Sequence, residues 1–556
     1  MKHEPVIVEE TVSEAIARYL ADIGVETAFG VISIHNMPIL DAIARQGRIR
    51  FVPARGEAGA MNMADAYARV SSSLGVVITS TGTAAGNAAG AQVEALTAGT
   101  PLLHITSQVD RGLMDRDRGT IHDVPHQYEM LKAISKSALR IWEPHATLNI
   151  LQAAASAALS APSGPVSLEV PVDIQRLPVT SHGASPKPAI LSPRVDDAAI
   201  DALAERVIAA RTPMLWLGGG ARGAREAAMA LMDKGFGAAT STNGRAVVDE
   251  RHPYTLGAFN MNAEAEAVYR ASDLMIVVGS RLRGNETRNN MLALPPIVQI
   301  DAEATQGARN YPVEMFLHGD AADTLSRLSE RLPGKLDIDP EFLHSIALAR
   351  AKSEGVLRDQ LGVYRVIADV LLERVSEGAH PWVRDVTISN STFGNRYVQI
   401  DAPNLGVHAL GGGIGQGVAM GIGAGLVPGA NKAVVLVGDG GTQLGLAELI
   451  TAVEEKANLV YVLMNDKAYG VIRNIQDAQY SGRHHYSALK TPDFATLCQA
   501  IDMPHRRVGH EAEFAATLDT AIAEDGPVLV EVDMVSIGGF AQSFAGPPAG
   551  AAGKTG

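Results

Sequence analysis

A chain of 556 residues is long enough for about three domains, and with 46% apolar but only 5% aromatic residues it can bury a large aliphatic core of the kind found where helices layer on parallel sheets. The formal charge of −14, without any Lys/Arg-rich cluster, argues against a nucleic-acid surface, and a single cysteine, Cys498, excludes an internal disulfide framework. Met1–Pro5 carries no apolar signal core and the apolar stretch from Gly415 to Ala430 is broken by glycines and Pro428, so a soluble cytoplasmic protein without a membrane span is expected.

Thr11-Val12-Ser13-Glu14 reads as a capping box that opens a first helix, running to about Asp22. Strands and helices then alternate as far as Val170-Pro171-Val172-Asp173. Inside this block the strand from Phe51 leads through Gly56 into Glu57, which opens a helix; an acidic side chain there also complements the helix dipole. Thr79 to Gly90 forms a Gly-rich loop. His35 and His122 lie in loops of the same block, and an imidazole can move protons near neutral pH where an amide cannot. From Leu177 to Pro193 the chain turns Pro-, Ser- and His-rich, which predicts a linker crossing the surface.

A second block begins with the strand Pro213–Leu217 and its Gly218-Gly219-Gly220 turn, continues through the apolar runs at Asp273–Ser280 and Pro296–Asp301, and ends near Lys335. A lone Gly-rich turn after a strand is weak support for a dinucleotide site. Arg281, Arg283 and Arg288 could meet phosphates or simply cover a surface, and nucleotide binding is the weaker reading. A charged helical connector from about Pro340 to Asp359 leads to a third block, after which residues 546–556 are expected to form a flexible tail of small residues. The fold class expected is α/β, with three doubly wound parallel-sheet domains at 1–178, 190–335 and 358–545.

The third block carries the strongest motif. Lys432–Val437 is an apolar run ending in Gly438-Asp439-Gly440-Gly441, which reads as a buried parallel strand entering a tight turn. A helical pattern follows from Leu444 to about Lys456, and a second run, Leu459–Met464, delivers Asn465-Asp466 to the same sheet edge, where such sheets bind ligands. A carboxylate, a carboxamide and a backbone carbonyl suit magnesium, a hard cation that keeps phosphate oxygens as further ligands. The glycines let the backbone approach phosphates closely.

With Glu57 upstream, this spacing of GDG and Asn resembles the thiamin-diphosphate-dependent enzymes of the acetolactate synthase, 2-oxo acid decarboxylase and benzaldehyde lyase group, and the resemblance runs from end to end of the chain. It implies a pyrimidine-binding domain at 1–178, a central Rossmann-like domain at 190–335 and a diphosphate- and Mg2+-binding domain at 358–545. The implied metal ligands are Asp439, Asn465 and the carbonyl of Lys467. Glu57 would bond the aminopyrimidine N1′ atom. Asn390, Ser391, Gly412, Gly440, Gly441, Asn465, Tyr469 and Gly470 would line the cofactor, with Ile414 as the apolar wedge that bends it. The central domain of relatives holds FAD, ADP or nothing; FAD or ADP is the weaker alternative here.

The activity implied is carbon–carbon bond cleavage or formation on a 2-oxo acid, by decarboxylation or acyloin carboligation. Alternatives are a lyase of 2-hydroxyketones or 2-hydroxyacyl-CoA compounds and, from another class, a nucleotide- or flavin-dependent oxidoreductase. His35 stands where benzaldehyde-lyase-like members also carry a histidine. His122 stands where relatives usually carry Gln, and Ser80 where benzoylformate-decarboxylase-like members carry a catalytic His. Two histidines would donate a proton to the reacting carbon and favour aldehyde release over ligation. Val471, Ile472 and Ile475 would wall an apolar pocket, and the segment Gly538–Phe544 either closes its mouth or pins the terminus. Because Glu57 and the metal motif belong to different domains, the resemblance implies a cofactor held between two subunits. A homodimer is then the minimum and a homotetramer the expected assembly.

Overall fold

The computed structural model describes residues 7–182 and 184–542; the tail expected at 546–556, and Phe544 before it, lie outside the described residues. Packing divides the chain into two units. One takes the chain up to Leu191 together with Ala409–Gly429 and Gly445–Asn458, and the other takes Ser192–His408, Ala430–Leu444 and the chain from Leu459 onward.

In the first unit six parallel strands form one sheet in the order Arg50–Pro53, Thr27–Gly30, Gly75–Thr79, Leu102–Gln108, Pro165–Pro171, Ser137–Arg140. Its central strands are buried on both faces, so polar residues on them such as His104, Ser167 and Glu169 are buried along with the apolar ones. The capping box at Thr11 and Glu14 forms as expected and opens the helix Val12–Asp22. The stretch expected to be a linker instead begins with a strand, Pro178–His182, which pairs antiparallel with Ile7–Thr11. Only a partner distant in sequence can make such a strand, because its own residues carry no alternating pattern.

Two pieces of the expected third domain fold with this first unit. The reason is visible in the helix Gly417–Gly425, whose residues Val418 to Ala424 are all buried and which packs on the helix Glu57–Ser71. Gly423 permits the contact, since a Cβ there would lie 2.0 Å from the Met63 carbonyl oxygen. The helical pattern expected over 444–456 is also broken. Asp439–Leu444 and Glu448–Glu454 are separate helices, and between them Gly445 lies against Val418 and the Gly415 carbonyl.

The second unit holds two parallel sheets. One has the order Gly237–Thr240, Pro213–Leu217, Leu274–Val278, Ile297–Asp301, Met315–His318. At its Gly-rich turn, a Cβ on Gly218 would stand 2.2 Å from the Gly279 carbonyl oxygen and one on Gly219 2.3 Å from the Asn243 amide nitrogen. These glycines are therefore explained by close packing of the turn on neighbouring protein. Arg283 pairs with Glu286 at 3.5 Å and Arg288 with Glu266, so two of the three arginines considered for phosphates already have carboxylate partners.

The other sheet has the order Gly406–His408, Trp382–Arg384, Ala433–Gly438, Leu459–Asn465, Val528–Asp533, His505–Val508, all parallel. The connector is a single helix, Pro340–Leu361. The C-terminal segment is pinned rather than free as far as Gln542. The Tyr364 hydroxyl donates to the Gly538 carbonyl at 2.6 Å, its ring lies 4.4 Å from that of Phe540, and the Gln542 N–H bonds the Gln360 carbonyl at 3.2 Å.

Candidate active site

In the second unit the strand Ala433–Gly438 ends one residue before Asp439, which opens the helix Asp439–Leu444, and the neighbouring strand ends at Asn465. The pairing of Gly438 with Met464 brings both turns to one sheet edge. Asp439 is 1% exposed and its Oδ2 atom has no hydrogen-bond partner. Its carboxyl faces that of Asp466 at hydrogen-bonding range. Burial, and then the charge of Asp466, push Asp439 well above the ordinary carboxylate range, and burial raises Asp466 as well.

Asn465 and Lys467 each have hydrogen bonds of their own. Asn465 is committed elsewhere: its Nδ2 donates to Glu531 Oε1 at 2.7 Å and its Oδ1 accepts from the Lys467 N–H at 3.3 Å. The Lys467 carbonyl, expected to face a metal, accepts from the Leu489 N–H at 2.9 Å, because this segment bridges antiparallel to Ala488. The residue recorded against Asp439 is instead Asp466, which sequence reasoning passed over as the second half of an Asn-Asp turn.

Around this pair the glycines are required by space. A Cβ on Gly440 would lie 2.6 Å from the Tyr469 ring, and one on Gly470 2.3 Å from Asp466 Oδ2. Gly441 is buried beside them. Asn390 and Ser391 begin a π-helical turn, Asn390–Gly394, where Thr387 Oγ1 accepts from the N–H groups of Ser389 and Asn390. Asn390 is buried with its Oδ1 unbonded. Of the expected apolar wall, Val471 packs into the core while Ile472 is exposed.

In the first unit Glu57 is the first residue of its helix, and its Oε2 accepts from Asn87 Nδ2 at 3.1 Å. The turn before it is held by a residue the sequence did not single out. Glu448 Oε1 accepts from the backbone N–H groups of Arg55 at 3.1 Å and Gly56 at 3.0 Å, and Gly59 leaves room for that carboxylate. Nothing in the local pattern around Glu448 distinguishes it from any helix-opening glutamate.

The two candidate histidines, far apart in sequence, are brought together. The rings of His35 and His122 lie edge to face with centroids 5.1 Å apart. His35 is buried, its Nδ1 is 3.4 Å from Ser80 Oγ, and its carbonyl accepts from Ser107 Oγ at 2.9 Å. Burial, with His122 as a second cause, holds the His35 pKa below its usual value. His122 sits at φ +65°, with its carbonyl against Gly82, where a Cβ would come within 2.2 Å. Gly412 has φ +80°, and Ile414 is 39% exposed, too open for a core isoleucine.

Three family models match in chain order: the thiamine pyrophosphate enzyme N-terminal TPP binding domain at residues 10–130, the central domain at 200–328 and the C-terminal TPP binding domain at 388–532. The chain is also 30% identical over 532 residues, 94% of each protein, to the probable 2-ketoarginine decarboxylase AruI of Pseudomonas aeruginosa. The chain belongs to the thiamin-diphosphate-dependent enzymes. The chain is also similar to acetolactate synthases. Acetolactate synthase isozyme 3 large subunit of Escherichia coli is 26% identical over 92% of each protein, and the mitochondrial acetolactate synthase catalytic subunit of Saccharomyces cerevisiae is 24% identical over 92% of this chain and 78% of its own.

The residues present fit the group this family carries. Asp439 is buried, faces Asp466 and keeps one oxygen unbonded, an arrangement that would suit a divalent cation. The glycines at 440 and 470 are already filled against by Tyr469 and Asp466, so they shape the turn rather than leave a void.

Proposed function

We propose that this thiamin-diphosphate-dependent enzyme decarboxylates a 2-oxo acid and releases the aldehyde, with Asp439 and Asp466 holding the magnesium ion. The observation that carries the reading is the His35–His122 pair, a buried imidazole and a partly covered one 5.1 Å apart beside Ser80. Bound thiamin diphosphate supplies the electron sink that lets a 2-oxo acid lose carbon dioxide. The protein's part is proton management and shape. Glu57, whose carboxylate accepts from Asn87, would hold a proton at the aminopyrimidine nitrogen. His35, whose pKa burial holds below the usual value, and His122 beside it would relay a proton taken from solvent to the carbon that has lost carbon dioxide. Ile414, held out of the core, would pack under the cofactor, and Asn390, Ser391, Tyr469 and Gly470 would border its diphosphate.

The resemblance to a protein named for 2-ketoarginine puts that guanidino 2-oxo acid at the head of the substrate panel. The test is carbon dioxide and aldehyde release from aliphatic, aromatic and guanidino 2-oxo acids, with magnesium and thiamin diphosphate added and withheld. Cofactor-dependent aldehyde release supports the reading. Ligated ketone without free aldehyde moves it to the carboligase branch, in line with the acetolactate synthases.

We further propose domains at 1–178, 190–335 and 358–545, a homodimer as the minimum assembly with a homotetramer expected, and a cytoplasmic setting. Among the described residues no helix is long and apolar enough to cross a membrane.

A further inference from the structure

One buried carboxylate of the first unit has no part in the chemistry above. Glu94 lies within the helix Thr83–Ala98 and is 1% exposed. Arg69 Nη2 donates to its Oε1 at 3.1 Å, and the same guanidinium forks onto Asp65 at 2.9 and 2.6 Å. Both Glu94 oxygens also turn to backbone distant in sequence. Oε1 accepts from the Leu410 N–H at 2.7 Å and Oε2 from the Gly411 N–H at 2.6 Å. Hydrogen bonds to an ionised carboxylate are short and about twice as strong as neutral ones.

What these bonds hold is a run with no side chains of its own to fix it. Gly411, Gly412 and Gly413 follow Leu410, Gly412 takes φ +80°, and the next residue is Ile414. A Cβ on Gly411 would stand 2.8 Å from Glu94 Oε2, so the glycine admits the carboxylate to the backbone. Three consecutive glycines leave the path of this segment to be dictated from outside. We infer that Glu94 is a positioning residue which, through the Leu410 and Gly411 N–H groups, sets where Ile414 stands beneath the cofactor. The inference rests on the reading that the chain binds thiamin diphosphate over Ile414.

Glu94→Gln reverses part of the clamp, because an amide can accept from only one of the two N–H groups, while Arg69 keeps its fork on Asp65. Gly411→Ala pushes the segment from the other side without touching the charged cluster. Each variant and Glu94→Asp are to be compared with the parent protein in thiamin diphosphate affinity by calorimetry, in the near-ultraviolet circular dichroism of the bound cofactor, in melting temperature and in the kcat and KM of carbon dioxide release. The expected result is near-parental affinity and KM for Glu94→Gln, an altered dichroism band, and kcat lower by about 10²-fold, the scale of a misplacement near 1 Å, with partial recovery in Glu94→Asp. An unchanged band with unchanged kcat, or a kcat loss that follows the melting temperature alone, overturns the inference. If Glu94→Gln does not fold, Gly411→Ala decides, and an unchanged band there overturns it. A parent protein that binds no thiamin diphosphate overturns the functional reading itself, and that is seen before any variant is made.

Discussion

The carboxyl of Asp466 faces that of Asp439, while its chain neighbour Asn465 is bonded to Glu531. One residue's difference in sequence thus separates the side chain proposed to hold the cation from one that braces two strands. Asp439→Asn and Asp466→Ala should each raise the magnesium concentration needed for thiamin diphosphate binding by at least about tenfold, the loss of one charged oxygen ligand from a small donor set. Asn465→Ala should leave that requirement near the parental value and lower stability instead, by roughly 1–3 kcal/mol, because Glu531 loses a buried donor. Magnesium titrations of cofactor binding by calorimetry, beside denaturant midpoints, separate the two cases.

Replacing His122 with Gln keeps a polar side chain of similar reach but removes the imidazole. Cofactor affinity should be unchanged and aldehyde release should fall by about 10²-fold, the low end of general acid–base catalysis. His35→Asn should fall at least as far, because it removes the buried partner of the pair. Unchanged turnover in both would take the pair out of the mechanism.

A third histidine should govern stability rather than activity. His104 is wholly buried between Thr79 Oγ1, 2.8 Å from its Nε2, and Gln92 Oε1, 2.7 Å from its Nδ1, and burial drives its pKa down to about 3. The folded value lies below the unfolded one, so beneath about pH 6.5 the unfolded chain takes up a proton that the native state refuses. Stability contributed by this group is therefore intact above that pH and is lost as pH falls toward 3, by up to ~1.4 kcal/mol per pH unit. Urea midpoints of the parent and His104→Gln between pH 7.5 and 4.5 should show the variant less stable at neutral pH and shallower in its acid slope by about one proton.

Gly423→Ala reverses a common rule. In an isolated helix alanine is favoured over glycine by about 1 kcal/mol. Here the new methyl would meet the Met63 backbone carbonyl, which cannot rotate away, so the variant should be destabilised by about 1–3 kcal/mol. Thermal melts of the two proteins check the sign.

Elements whose causes are local were legible beforehand. The capping box at Thr11 and Glu14, the buried apolar strands on either side of Asp439, and the helix opening at Glu57 all appear where their residues point. Elements made by distant partners were not. Pro178–His182 is a strand because Ile7–Thr11 lies beside it, and the helix expected across 444–456 breaks at Gly445. The same division runs through the candidate site. Asp439 stood out by its motif, whereas Asp466, Glu94 and Glu448 are acidic residues in ordinary patterns that gain meaning only from what faces them.

Residue order by itself determined that this is an α/β chain of three domains with a GDG turn, a helix-opening glutamate and two loop histidines, because short-range sterics, burial pattern and backbone flexibility are written into neighbouring residues. Tertiary structure alone decided which carboxylate meets Asp439, that His35 and His122 touch, and that Ala409–Gly429 folds with the first block. Those outcomes depend on burial and on pairing across hundreds of residues, where the strength of a charge or a hydrogen bond is set by surroundings that no local stretch contains.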